Sequence, residues 1–237
     1  MCGRFSFAFE DALILERFGI RVRTAIYKAR YNCAPSQNLA VIANDAPDTL
    51  KFFRWGLIPS WSKDISIGNK LINARAETIT EKPSFKNAFR NRRCLVPATG
   101  FYEWKRNSTD MTCHVRTNKD MTCHVPTPYH IGMKNGDAFC FAGLWDKWIS
   151  GEGGIIHSFT IITTSPNALM AQIHDRMPVI LWRRDEQRWI APDPDPSLVE
   201  LLKPFPPEMM EAWPVSKLVN SPGNDVPEIM DRVPDLL

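Results

Sequence analysis

The sequence predicts an α+β fold: a single domain spanning residues 1–237, with a curled, barrel-like mixed β-sheet core flanked by short helices. Three observations carry this prediction. Strand-like apolar runs outnumber helical ones; the two kinds are not regularly interleaved, as a parallel βαβ array would require; and no Gly/Ser linker divides the chain. At 44% apolar and 23% charged residues, the composition is globular rather than disordered, and 237 residues can bury a sizeable core.

The elements follow in chain order. Residues 10–18 form an amphipathic pattern ended by Gly19, which predicts a short helix. Strands are expected at Leu39–Ala43, Leu50–Arg54, Arg93–Ala98, Tyr129–Met133, Ala138–Leu144, Ile155–Thr163 and Val179–Trp182, each run bounded by Pro, Gly or Asn. Phe85 and Phe89, four residues apart, suggest a helix with one apolar face. Ser165-Pro166 is an N-cap and first-turn pair for a helix through Gln172, and Asp195-Pro196 repeats the signal for a helix through Lys203.

One segment is duplicated: Asp-Met-Thr-Cys-His-Val stands at 110–115 and again at 120–125. The copies bring together Cys113, His114, Cys123 and His124, all of them zinc-ligand types. Adjacent ligands on an extended chain point to opposite faces, however, and structural zinc sites space paired ligands by two or more residues. The segment 110–125 is therefore read as a loop insert, with no metal and no cofactor expected. Six cysteines without a secretory context read as reduced thiols. Met1 is followed at once by Cys2, Gly3 and Arg4, so no secretory signal is expected. No run reaches the length of a membrane span, and a cytoplasmic protein without membrane association is the expectation.

The net charge of +3 decides nothing, but its distribution is uneven. Residues 51–106 carry twelve Lys or Arg against four acids, an excess of +8, whereas residues 151–237 carry seven against thirteen, or −6. The basic block also holds Trp55, Trp61, Phe85, Phe89 and Trp104. Cations for phosphates and flat side chains for unpaired bases are what a single-stranded nucleic acid groove needs. Taken alone, the same pattern also describes a solvated basic face with its aromatics turned inward.

Cys2 is the first candidate for chemistry. Loss of Met1, the usual fate of an initiator methionine before a small residue, would leave an α-amine and a thiol on neighbouring carbons. The amine, with an ordinary pKa of about 7.7–8.0, is partly neutral at pH 7, and the thiol can be activated by a nearby cation. Such an aminothiol takes an aldehyde first as an imine and then, by intramolecular closure, as a five-membered thiazolidine. A small buried cysteine with no chemistry is the ordinary alternative. Asn73-Ala74-Arg75-Ala76-Glu77-Thr78 gathers an amide, a guanidinium and a carboxylate. In Gly100-Phe101-Tyr102-Glu103-Trp104-Lys105 three aromatics bracket a carboxylate, a setting that can raise its pKa into the range of a general acid or base. Ile173-His174-Asp175-Arg176-Met177-Pro178 sets a histidine between a predicted helix and a predicted strand.

Each of these segments alone is weak, but their order is informative. Met-Cys-Gly-Arg-Phe at the start, Tyr31-Asn32-Cys33-Ala34-Pro35, Arg54-Trp55-Gly56-Leu57-Ile58-Pro59-Ser60-Trp61, Asn73 to Thr78, Phe101 to Lys105 and His174 to Pro178 are collinear with the motifs of the SOS response-associated peptidase (SRAP) family. The resemblance covers residues 2 to about 222, which makes that stretch the domain core and leaves an acidic tail at about 223–237.

The resemblance implies a protein of the DNA-damage response that recognises abasic sites in single-stranded DNA and crosslinks to them through Cys2. It further implies AP-lyase activity and autoproteolytic removal of Met1. By the same analogy Asn73 orients the N-terminal residue or the opened sugar. Glu103 assists proton transfer at the amine and the sugar, and His174 acts as acid or base on the sugar. Arg4, Arg75 and Arg176 hold the flanking phosphates, and Pro35, Trp55, Trp61 and Trp104 shape the groove. Pro83 departs from the family pattern where some relatives place a basic residue, although Lys82 adjoins it; the insert falls close behind Glu103-Trp104. A monomer with no obligate protein partner is expected, and nothing in the C-terminal residues suggests a sliding-clamp interaction. Two other functions share these residues: an N-terminal-nucleophile hydrolase, peptidase or glutaminase-like, with Cys2 as nucleophile and its amine as base, and a non-catalytic binder of modified DNA bases.

Overall fold

The computed structural model describes residues 2–9, 11–20, 27–105 and 126–234. Its centre is a ring of five strands: β3 (Asn38–Ala43), β4 (Leu50–Trp55), β6 (Arg93–Ala98), β9 (Phe139–Ile149) and β10 (Ile155–Thr164). β10 pairs parallel with β4, and every other neighbour in the ring is antiparallel, including the β9–β10 hairpin that closes it. The expected curled mixed sheet is thus a closed barrel, the arrangement that leaves no free edge. β5 (Asn73–Arg75) adds in parallel to β10, while the two-residue strands β11 (Met177–Pro178) and β12 (Ile180–Leu181) add to β10 and β9. A second, antiparallel sheet has the order β13 (Met210–Pro214), β8 (Thr127–Met133), β7 (Gly100–Lys105), β1 (Phe5–Phe7) and β2 (Arg30–Cys33).

Strand alternation sorts the side chains. Phe139, Phe141 and Trp145 of β9 join Val41, Phe53, Trp55, Val96, Phe159 and Ile161 in one cluster, which Phe5, Phe101 and Cys2 complete from the second sheet. The intervening Cys140, Ala142 and Leu144 pack instead with Phe85, Phe89 and Trp189 of the helices α2 (Pro83–Asn91) and α3 (Arg183–Trp189). Between these helices lies the fully buried Arg93, whose guanidinium donates to the carbonyls of Phe89, Trp189, Ala191 and Asp193 at 2.5–3.0 Å. It thereby satisfies the unpaired carbonyls at the ends of both helices. α1 (Asp11–Phe18) stops at Gly19, whose φ of +70° is the left-handed C-terminal conformation glycine favours.

The predicted strands form, with shifted ends. Of the predicted helices, Ser165-Pro166 does not start one: only a 3-10 turn, Met170–Gln172, forms. Asn167 takes over as the local cap, accepting from Met170 N at 2.9 Å and tying Phe205 O from its amide nitrogen at 2.7 Å. The Asp195 cap does form, accepting from Ser197 N at 2.8 Å, but it heads a 3-10 segment Pro196–Leu201 rather than an α-helix through Lys203. The acidic segment after residue 222 is packed against the second sheet. Asp225 binds Arg30 Nε and the main-chain N–H groups of Tyr31 and Asn32, Ile229 is fully buried, and Met230 O accepts from the Trp213 indole. Residues 223–234 are thus a strap across the second sheet. The duplicated insert 110–125, and with it the zinc question, lies outside the described residues. Among the described residues no helix is long and apolar enough to cross a membrane.

Candidate active site

Cys2 lies where the two sheets meet. It is fully buried on the extended segment leading into β1, whose pairing with β7 sets Phe5 opposite Phe101 and lets Arg4 O accept from Tyr102 N at 2.9 Å. From the barrel side, β5 presents Asn73, held by parallel pairing with Ile161, and its amide nitrogen donates to Cys2 O at 2.8 Å. Asn73 Oδ1 is buried without a hydrogen-bond partner among the described residues.

β7 brings Glu103 to the same junction, 3% exposed. Burial pushes its carboxyl up to about 7, and the Asp175 carboxylate adds to the rise. The aromatic bracket seen in the sequence is only partly responsible. Strand alternation turns Tyr102 and Trp104 to the opposite face, where they pack with Val215, Val219 and Ile229, and leaves Phe101 on the side of Glu103. His174 leaves the 3-10 turn with its main-chain N–H on Met170 O at 2.8 Å, and its Nε2 stands 4.0 Å from Glu103 Oε2. The four residues expected to carry chemistry therefore converge from four separate stretches of chain. The expected cationic activation of the thiol does not hold. Burial, and then the Glu103 carboxylate, push Cys2 well above the ordinary cysteine range, and no arginine or histidine side chain among the described residues offsets them.

The residues assigned to DNA divide into two groups. Arg75 and Trp61 are exposed, the latter at 59%, and Pro35 and Trp104 are half-buried. Trp104 is tied to Asn220 Oδ1 at 2.8 Å, with the Arg4 guanidinium 5.8 Å over its ring. Trp55 is a correction. It is fully buried, stacked on Phe159, with its indole N–H on Ile72 O at 2.9 Å, so it shapes the barrel interior and offers no face to a base. Arg4 and Arg176 are also committed within the protein. Arg4 donates to Asn32 Oδ1 at 2.8 Å and Val219 O at 2.6 Å, and Arg176 makes a two-pronged pair with Glu77. Glu77 was not among the expected site residues. Its motif was visible, but its partner lies 99 residues away.

Comparison with known proteins gives the family. The family described as SOS response associated peptidase (SRAP) matches residues 1–222. The abasic site processing protein YoqW of Bacillus subtilis (strain 168) is 46% identical over 98% of this chain and 99% of its own. The abasic site processing protein HMCES of Xenopus tropicalis is 35% identical over 87% of this chain and 67% of its own. A crystal structure of a protein from Bacteroides thetaiotaomicron superposes with a TM-score of 0.83 at 30% identity, covering 98% of this chain and all of that one. By sequence and by fold, the chain belongs to the SRAP family.

Proposed function

We propose that this protein processes abasic sites in single-stranded DNA by forming a thiazolidine with them through Cys2, once hydrolysis has removed Met1. The names of its relatives support the lesion. The observation that carries the chemistry is the meeting of Cys2, Asn73, Glu103 and His174 in a desolvated junction. The aldehyde carbon of the ring-opened sugar is attacked by the neutral α-amine, and loss of water leaves an imine. The Cys2 S–H then adds across the C=N bond, sulfur to carbon and proton to nitrogen, closing the ring. A thiol held protonated by burial suits this order, in which the amine attacks first. It suits poorly an N-terminal-nucleophile hydrolase, which needs the thiolate at the outset. Glu103, poised near 7, can take the ammonium proton and return it. The Nε2 of His174 faces Glu103 and can serve the ring oxygen as the sugar opens. Asn73 holds the Cys2 carbonyl while its own Oδ1 remains an acceptor for a sugar hydroxyl.

Intact-protein mass spectrometry with an abasic single strand tests this. The free protein should begin at Cys2, the adduct should weigh protein plus oligonucleotide less one water, and Cys2→Ala should form none while still binding DNA. Adduct formation by protein that keeps Met1, or by the alanine variant, would refute the assignment.

A further inference from the structure

Arg176 is committed to partners within the protein. Its Nη1 and Nη2 donate to the two Glu77 oxygens at 2.6 and 2.9 Å, Nη2 also donates to Thr163 O at 2.7 Å, and the side chain is only 14% exposed. The Arg176 hydrogen bond holds the Glu77 carboxyl below its ordinary range. The partners are rigidly placed: Glu77 follows β5 directly, and Thr163 is the β10 residue opposite both Arg75 and Pro178.

What this anchors is the backbone of the segment 174–176. The main-chain N–H of Arg176 donates to His174 Nδ1 at 3.0 Å. In a neutral imidazole the accepting nitrogen is the bare one, so the proton sits on Nε2, the nitrogen 4.0 Å from Glu103 Oε2. Asp175 opposes this arrangement, because its Oδ1 lies 2.9 Å from the same Nδ1 and would draw a proton there. Among the described residues, the groups facing the ring include Glu103 from β7, Asp175 beside it, and the Arg176 N–H. The outcome depends on how firmly Arg176 is held.

We propose that the Glu77–Arg176 ion pair is a positioning clamp, which keeps the Arg176 main-chain N–H on His174 Nδ1 and so presents Nε2–H to Glu103. Its catalytic meaning rests on the proposed thiazolidine chemistry; its structural claim does not. Nitrogen-15 NMR of the labelled, Met1-processed protein reads the tautomer directly. Neutral His174 should be protonated on Nε2 in the parent and shift toward Nδ1–H in Glu77→Gln. Arg176→Lys, which keeps the charge but loses the planar fork, should do the same and serves if Glu77→Gln does not fold. Adduct formation at saturating abasic strand should slow about ten- to a hundredfold, with half-saturation changed less than about twofold. An unchanged tautomer in the folded variants would overturn the clamp. So would tighter DNA binding with a steeper salt dependence in Glu77→Gln, the sign of an arginine released onto a phosphate. If the parent itself forms no adduct, the proposed function fails, and the tautomer shift still decides the clamp.

Discussion

Replacing Glu103 with Gln should make the protein more stable and less active, by amounts that depend on pH in opposite ways to a simple loss of contact. Glu103 is 3% exposed, and burial raises its carboxyl from the ordinary 4.5 to about 7. A folded-state pKa above the unfolded one means that folding favours the protonated form. Its contribution is fully present below pH 4.5 and is lost as pH rises through about 7. The gap corresponds to about 3 kcal/mol at pH 8 and only about 1 kcal/mol at pH 5. Glutamine keeps the shape and escapes ionisation, so Glu103→Gln should gain about 3 kcal/mol over the parent at pH 8, or about 6–12 °C in Tm. Most of that advantage should vanish at pH 5. The same change should slow adduct formation about 10²- to 10⁴-fold, the range one positioned proton-transfer group supplies. Urea unfolding of both proteins at pH 5, 6.5 and 8, beside denaturing-gel time courses with an abasic strand, measures the two effects. A variant no more stable than the parent at pH 8, or equally favoured at all three pH values, would refute a buried carboxyl poised near neutrality.

His130 should show the mirror image. Burial between Tyr102 and Trp213 lowers it to about 4, so its contribution is present above pH 6.5 and lost as pH falls toward 4. The parent loses about 3 kcal/mol from this group over that range; His130→Gln should lose none of it, which urea unfolding at pH 4.5 and 7 will show. The Arg75 side chain, exposed beside the Asn73 junction, makes no hydrogen bond or salt bridge among the described residues, so Arg75→Ala should make the log–log salt dependence of single-strand binding shallower by about 0.7. Fluorescence anisotropy at several salt concentrations measures this, and an unchanged slope would remove Arg75 from the DNA surface.

How much of this was legible depends on whether a signal is local. β4, β6 and β10 announce themselves through runs of apolar residues bounded by Pro, Gly or Asn, and the Phe85–Phe89 pair marks α2. β5 does not: Asn-Ala-Arg has no strand pattern and becomes a strand only by pairing with Ile161–Thr163. α3 is almost wholly charged on its outer face and was read as nothing, because Glu186 and Trp189 alone face inward. The four candidate residues stand out because each sits in a short motif, whereas their convergence has no local signal. Trp55 went wrong by face rather than by identity. With Phe53 inside the barrel, a residue two further along the same strand must also be inside, and that alternation was available in the sequence. The packing of the C-terminal strap has no local signal, because Asp225 reads as an ordinary surface acid and becomes a fixed acceptor only where Arg30 and the main-chain N–H groups of Tyr31 and Asn32 meet it.

The two perturbed groups act in opposite directions over one range of pH. Between about pH 4.5 and 6.5, Glu103 gains stability as pH falls while His130 loses it, and the two slopes have similar size. His130 sits on β8 directly opposite Tyr102, one residue from Glu103 on β7 but on the other face of the sheet. On that same face the 3-10 segment Lys217–Asn220 holds Arg4 through Val219 O at 2.6 Å, and Arg4 in turn is two residues from Cys2. Packing on the far face of the second sheet therefore ties down the segment that carries Cys2, while the near face carries a carboxyl raised toward neutrality. In Glu103→Gln the opposing slope is removed, so that variant alone should show the full acid sensitivity of His130. The double variant Glu103→Gln/His130→Gln should show neither slope, because the residues lie on opposite faces and their effects should add.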